Sequence, residues 1–331
     1  MPKSLEAYTV LLTPEAGPRR FRRIGCYIRE MFPPAVYVPA GIAFFAAVYF
    51  CMQALERPGP LTISPRAVAG ALTTLLLLFL LRVYDDLKDV ETDLRFAQVG
   101  DPRYAYRSLV TGRVKVSDVA LLRWIVTAVL VAINVPLGFS LPMLVFGIVM
   151  LVYWLSYRWF FWPAVRQNLL LAFITHNPTL SLALGLYAAA VAIGEFGSTA
   201  RAGTVLILLI GMWLPLSAWE TSRKIRTREQ ETEYVTYTKL LGYSAVLLPV
   251  AFASGSALCL SYVGLAIKLS WLFPALLFAA AGVLVVACMR FLIFPSAAHA
   301  KLQTYSELYL LAAWVGLPIS IVCHCGIRLR P

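Results

Sequence analysis

Acidic residues cluster just after a long apolar stretch of the chain: Asp85, Asp86, Asp89 and Asp93 follow residues 73–81. If one helix continues through them, Asp85, Asp89 and Asp93 fall at positions i, i+4 and i+8 and share one face. Like charges at this spacing repel each other, and charges at a membrane margin cost free energy, so the cluster indicates a function. Oxygen ligands of this kind suit Mg²⁺, which commonly joins carboxylates to phosphate groups. The other interpretation is a solvated acidic helix end outside the membrane.

A second charged group follows another apolar stretch, residues 203–221, and mixes acid with base. Glu220 comes first, and Arg223 and Lys224 follow it within about one helical turn. Fixed basic side chains can neutralise phosphate oxygens, so this group is a candidate phosphate-binding site. The other interpretation is that these are ordinary positive charges at the cytoplasmic end of a membrane span.

The elements that would position these groups are membrane helices. The chain has 331 residues, of which 60% are hydrophobic and only 14% are charged, whereas a soluble domain carries roughly 25% charge. Strand-like alternation is absent, and helices satisfy their own backbone groups in lipid. We therefore predict an all-α, polytopic membrane protein of about nine transmembrane helices, each near the ~20 residues that a span needs. The predicted spans are 35–55, 64–84, 117–137, 140–160, 166–193, 203–221, 240–264, 269–293 and 304–326.

The distribution of basic residues predicts the orientation. With the N-terminus in the cytoplasm, 21 Lys and Arg lie in predicted inside segments and 6 in outside segments, as the positive-inside rule requires. Both charged groups then lie at the cytoplasmic side, and a bacterial cytoplasmic membrane is the expected location. The net charge of +12 follows these loops, which favours contact with membrane lipid and excludes nucleic acid as a partner. Residues 1–34 form a basic amphipathic segment, and 35–331 form one transmembrane helical domain.

The aspartate cluster resembles a known family motif. The pattern Asp85-Asp86-x-x-Asp89-x-x-x-Asp93 is similar to the first aspartate-rich motif of the UbiA superfamily of intramembrane prenyltransferases, which usually begins with Asn. Residues 106–114 resemble the Arg-Pro-Leu-x-Ser-Gly stretch that follows this motif. Glu220 matches the first acid of the second motif, but its later acids are replaced by Lys224 and Arg228 here. This departure puts a second carboxylate-bound metal in doubt.

The resemblance implies a UbiA-type bundle with a central cavity that faces the cytoplasm. It implies a Mg²⁺-dependent enzyme that ionises a prenyl diphosphate and transfers the prenyl group to an aromatic or lipid acceptor. The four aspartates are the implied metal ligands and, with Glu220, the implied catalytic residues. The segment 94–116 is expected to cover the site as a lid. The expected diphosphate-binding residues are Arg107, Tyr157, Arg166, Arg223 and Lys224.

Two other functions are open at this stage. Ionisation of the prenyl diphosphate forms an allyl cation. If double bonds of the prenyl group itself attack this cation, the protein is a UbiA-type terpene cyclase, an enzyme of terpene biosynthesis that needs no acceptor. The altered second motif favours this cyclase as an alternative to prenyl transfer. A non-enzymatic transporter using its carboxylates for ions is the second alternative. Transporters are expected to place charge near the membrane midplane in inverted repeats, whereas these charges gather at one rim.

Overall fold

The chain is helical in the computed structural model, which describes residues 19–100, 102–138, 140–197, 202–231 and 235–329. A short parallel pair joins β1 (Leu61–Ile63) to β2 (Ile327–Leu329). The α-helices are α1 (Arg20–Met31), α2 (Pro34–Glu56), α3 (Pro65–Gln98), α4 (Pro102–Ala105), α5 (Val116–Asn134), α6 (Leu141–Tyr157), α7 (Pro163–Gln167), α8 (Leu169–Thr175), α9 (Asn177–Phe196), α10 (Ala202–Ser222), α11 (Tyr237–Leu241), α12 (Leu247–Ala266), α13 (Leu272–Ile293), α14 (Gln303–Trp314) and α15 (Gly316–Cys325). Tight 3₁₀ turns occur at Val135–Leu137, Trp159–Phe161, Arg228–Gln230 and Gly242–Val246.

The predicted polytopic, all-α class is confirmed. Within the described residues, 8 helical stretches are long and apolar enough to cross a membrane. The predicted span 140–160 corresponds to α6, an apolar helix of 17 residues that is slightly shorter than the others. Helix α3 has 34 residues and is therefore about 50 Å long, which exceeds the hydrocarbon thickness of a bilayer. The aspartates lie in its second half.

The predicted loop 94–116 begins later than the sequence indicated. Helix α3 continues to Gln98, and a short helix, α4, follows. Residues 94–98 contain neither Gly nor Pro, so nothing in them ends the helix. The helix ends just before Gly100, whose φ of +83° is a conformation that favours glycine. The buried ring of Phe96 also stacks on Tyr104 at 5.1 Å, which fastens the helix end to α4.

The packing divides the chain into two compact units. The first unit comprises residues 1–39 and 75–136, and in it α1 packs against α5. The second comprises residues 40–74 and 137–331, where α10 packs against α9, α12 and α14. Helices α2 and α3 contribute residues to both units. The predicted division into a segment 1–34 and a single domain 35–331 stays a prediction, and residues 1–18 lie outside the described part of the chain.

Candidate functional site

One helix carries the whole aspartate cluster, as the sequence predicts. Helix α3 runs unbroken through Asp85, Asp86, Asp89 and Asp93, so the i, i+4, i+8 face exists. Asp86 and Asp93 are buried, with 3% and 8% of their surface exposed. Asp85 and Asp89 are half-buried. Burial of carboxylates is costly without partners, so their surroundings must supply positive charge or hydrogen-bond donors.

Basic side chains balance much of this negative charge. Arg82 Nη2 lies 2.6 Å from Asp86 Oδ1, and its Nε lies 3.1 Å from Oδ2, which makes a two-pronged ion pair. Lys88 Nζ lies 2.6 Å from Asp85 Oδ1. Both pairs join residues one turn apart on α3, where such charges meet. The cluster is therefore a mixed surface of anions and cations.

Arg107 reaches the cluster from beyond the end of α3. Its Nη1 donates to Asp93 Oδ2, and its guanidinium lies 4.6 Å from the centre of the Tyr104 ring. The sequence predicted Arg107 as a diphosphate-binding residue. The structure brings it to the aspartate cluster, so it is in place to bind an anion held there.

Helix α1 contributes a residue that the sequence did not identify. Tyr27 is fully buried, and its hydroxyl donates to Asp86 Oδ2 over 2.7 Å. Burial, and then the negative charge of Asp86, raises the pKa of Tyr27. The hydroxyl therefore stays protonated and remains a donor. Asp86 is thus held from two sides, by Arg82 and by Tyr27.

Helix α1 also anchors the segment that follows α4. Glu30 Oε1 accepts the backbone N–H of Ser108 over 2.7 Å, and Glu30 Oε2 lies 3.0 Å from Arg113 Nη2. About two turns earlier, Arg23 forms a two-pronged pair with the buried Asp118, at 2.6 and 3.0 Å. The expected role of residues 94–116 as a lid stays a prediction.

The aspartates have the right donors for a divalent cation, but they are not gathered around one point. Carboxylate oxygens are the ligands that Mg²⁺ prefers. Among the described residues, however, no group of three His, Cys, Asp or Glu side chains could hold a metal ion. Asp85, Asp86 and Asp93 point at basic partners instead. Asp89 has no hydrogen bond or ion pair with another described residue, so its carboxylate is available. A metal ion would have to compete with basic side chains for the carboxylates of Asp85, Asp86 and Asp93.

The second charged group forms its own compact arrangement at the end of α10. Glu220 is 4% exposed, and its two oxygens meet Arg223 Nε at 2.5 Å and Lys224 Nζ at 2.7 Å. Lys224 Nζ also lies 6.0 Å from the centre of the buried Tyr237 ring. Arg223 lies over Trp219, whose indole N–H donates to Glu307. Because two cations face one carboxylate, this group has a net positive charge.

The two remaining predicted diphosphate-binding residues are Tyr157 and Arg166. Tyr157 ends α6 and is half-buried, and the Arg158 guanidinium lies 5.6 Å from its ring centre. The chain then turns sharply, with φ near +52° at Trp159 and +53° at Phe160. Arg166 lies in α7, but its side chain is outside the described part of the structure.

The predicted site residues therefore form two groups. The aspartates and Arg107 belong to the first compact unit, and Glu220, Arg223 and Lys224 belong to the second. Sequence reasoning missed Tyr27 and Glu30, whose partners are far along the chain. The ion pair between Arg82 and Asp86 could have been predicted, because their i, i+4 spacing brings the two side chains together on a helix.

We expect replacement of Tyr27 by phenylalanine to lower turnover roughly fivefold to tenfold, because one hydrogen bond to a buried carboxylate is worth about 1–1.5 kcal/mol. The ring would still fill its space, so the thermal unfolding midpoint should change little. Steady-state turnover of the purified variant measures the effect. Tyr106→Phe is the matched control, since Tyr106 is 78% exposed in the same unit. Equal turnover in the two variants would contradict a role for Tyr27 in holding Asp86.

Comparison with known proteins identifies the fold. No protein-family model and no curated protein matches the sequence. A structure from work on digeranylgeranylglyceryl phosphate synthase in membranes matches 91% of this chain and 99% of its own, with TM-score 0.61 and 13% identity. The apo structure of a UbiA homolog from Aeropyrum pernix K1 matches 86% of this chain and 96% of its own, with TM-score 0.60 and 17% identity. The chain therefore shares the fold of these two structures, one of which is a UbiA homolog, and the fold that the resemblance implied is confirmed.

Proposed function

We propose that the protein is a UbiA-type intramembrane prenyltransferase that acts on a prenyl diphosphate. One observation carries the proposal: a chain with this fold places the aspartates and Arg107 together at the end of α3. An apolar bundle suits a hydrophobic tail, and a mixed acidic and basic rim suits a diphosphate head. The acceptor that we propose is an aromatic or lipid molecule.

The donor set leads us to propose that Mg²⁺ binds at Asp85, Asp86, Asp89 and Asp93. When bound, the metal would supply positive charge to phosphate oxygens. The chain's own residues have complementary parts. Asp89 offers a carboxylate that forms no hydrogen bond or ion pair with the described side chains. Arg82, Lys88 and Arg107 hold the other carboxylates, and in the presence of a diphosphate they can turn to its oxygens.

The chemistry that follows is loss of diphosphate from an allylic carbon. The carbon–oxygen bond breaks with both electrons going to the diphosphate, and basic residues stabilise that developing charge, usually the largest catalytic contribution. We propose Arg107, which binds Asp93 in the aspartate cluster, for this role. The predicted contribution of Arg223 and Lys224 to diphosphate binding stays a separate prediction. The apolar bundle keeps water from the allyl cation. The acceptor then forms the new carbon bond and gives up a proton.

Terpene cyclisation is the second candidate, and the second charged group favours it. Here Glu220 is engaged by Arg223 and Lys224, so this group lacks a carboxylate available for a second metal. The site therefore differs from the usual superfamily motif. This difference favours a reaction of the allyl cation other than attack by an acceptor. In that case a double bond of the prenyl chain attacks the cation, the new cation that results loses a proton to give a neutral hydrocarbon, and no acceptor is consumed.

The test is incubation of the detergent-solubilised protein with C10, C15 and C20 prenyl diphosphates and Mg²⁺, first without an acceptor. Released diphosphate and extractable hydrocarbon are measured. We expect turnover only after a phenolic acceptor or a membrane extract is added. A cyclic hydrocarbon formed without acceptor would establish the cyclase instead. Absence of diphosphate release under every condition would contradict both enzymatic functions.

A further inference from the structure

A basic cavity lies in the second unit, in the segment that connects α10 to α12. Its volume is about 340 Å³. This is within the size range of small-molecule sites. Its lining residues are Arg226, Arg228, Glu231, Thr238, Lys239, Gly242 and Tyr243. Arg228 stands at the last acid position of the second motif, but the lining contains none of the aspartates and none of the proposed diphosphate-binding residues.

Two arginines of this cavity have no hydrogen-bond or ion-pair partner among the described residues. Neither the Arg226 nor the Arg228 guanidinium makes a hydrogen bond or ion pair with another described residue. Arg226 is half-buried, whereas Arg228 is exposed. Positive-inside topology explains basic residues in a loop, but it does not explain their convergence on one concave surface. Uncompensated guanidinium groups in a cavity are typical of a site for phosphate.

The wall of the cavity is held in place before any ligand binds. Thr238 Oγ1 accepts the backbone N–H of Arg226 over 2.8 Å. Thr236 Oγ1 donates to Glu231 Oε1 over 2.5 Å and accepts the N–H of Lys239 over 3.1 Å. Such bonds fix the loop, and a fixed site loses less entropy when it binds its ligand.

Glu231 gives a second indication of a ligand. Its Oε2 is buried and has no hydrogen-bond partner among the described residues. Buried polar atoms are nearly always satisfied, so an orphaned carboxylate oxygen requires a donor. The cavity thus presents guanidinium groups for an anion and one acceptor for a hydroxyl group or water that comes with it.

We propose that this cavity binds a phosphate group, carried either by a membrane phospholipid or by a soluble molecule. Three cationic side chains and one carboxylate line it, so its net charge complements a doubly charged phosphate. The inference goes beyond the proposed prenyl transfer and does not depend on it, because binding can be measured without turnover.

The experiment follows the thermal unfolding midpoint of the detergent-solubilised protein as sodium phosphate replaces sodium chloride at constant ionic strength. We expect phosphate to raise the midpoint, because a ligand that binds the folded state stabilises it. In Arg226→Gln/Arg228→Gln the apparent dissociation constant should rise by at least about tenfold, the equivalent of one lost charge-assisted hydrogen bond. Arg328→Gln is the matched control, because Arg328 is exposed in the same unit and lies in β2, which pairs with β1 and does not line the cavity.

A second arm repeats the measurement in nanodiscs of phosphatidylcholine with and without phosphatidylglycerol. Stabilisation by phosphatidylglycerol alone, lost in the double variant, assigns the cavity to a lipid headgroup. Stabilisation by phosphate alone, lost in the same way, assigns it to a soluble ligand. Stabilisation by neither probe, or equal stabilisation of the double variant, overturns the proposal.

If the double variant does not fold, Glu231→Gln provides a second test of phosphate binding in the cavity. Removing this negative charge should tighten phosphate binding severalfold, since the carboxylate repels an anion. The side-chain oxygen of Gln can still accept from Thr236, so the loop is preserved. A purely structural Glu231 would not strengthen binding, and unchanged affinity in this variant would overturn the proposal.

Discussion

Asp89→Ala should reduce turnover by at least about a hundredfold, because Asp89 is a proposed ligand of Mg²⁺. Losing one contribution to the stabilisation of the negative charge that develops on the leaving diphosphate costs about 10²–10³ in rate. Asp89 is the predicted metal ligand that forms no hydrogen bond or ion pair with the described side chains. Its carboxylate is therefore the most available to a cation, and no salt bridge is lost with it. Removing Mg²⁺ with a chelator should abolish turnover of the wild type, and adding it back should restore turnover.

Glu91→Ala is the matched control for Asp89→Ala. Glu91 is an acid on the same helix two residues further on, and it is exposed. It should retain near wild-type turnover and the same unfolding midpoint. If Asp89→Ala and Glu91→Ala had equal turnover, the metal assignment at this cluster would be wrong. If a chelator left turnover unchanged, dependence on Mg²⁺ would be contradicted.

Much of the fold follows from the sequence because membranes impose simple rules. Apolar stretches of about 20 residues must be helices, and the charges between them set the connections. The shared face of Asp85, Asp89 and Asp93 likewise follows from helical periodicity alone. The sequence could also have given the extension of α3, since residues 94–98 contain no helix breaker.

Long-range partners could not be predicted in this way. Tyr27 is 59 positions from Asp86, and Glu30 is 78 positions from Ser108. No periodicity links such residues, and only tertiary packing brings α1 to the cluster. The basic cavity was missed for the same reason, because its residues read as ordinary loop cations until the chain folds around them.

The balance of charge around the aspartates is the main change that the structure makes to the sequence-based interpretation. The sequence analysis treated the carboxylates as metal ligands and Arg107 as a diphosphate ligand. In the structure Arg107 and Asp93 bind each other, and Arg82 binds Asp86. Such pairs compensate the buried carboxylates when no substrate is bound. We propose that a diphosphate bound together with Mg²⁺ would offer a cation to each of these carboxylates and phosphate oxygens to each of these arginines.

The same reasoning gives a sharp prediction for the second charged group. Glu220 is buried between Arg223 and Lys224, and removing one partner of a buried pair is strongly destabilising. Lys224→Met should therefore lower the free energy of unfolding by about 3 kcal/mol. Thermal or denaturant unfolding in detergent measures this change. Lys301→Met, an exposed lysine in the same unit, should leave stability unchanged.

A double variant separates the structural role of Lys224 from its proposed role in binding diphosphate. Glu220→Gln/Lys224→Met removes both charges, so most of the lost stability should return. Turnover should stay low, because the positive charge offered to the phosphate oxygens is still missing. If the double variant recovered turnover together with stability, Lys224 would serve only to neutralise Glu220. The diphosphate contact would then have to come from other basic residues, with Arg107 the first to test.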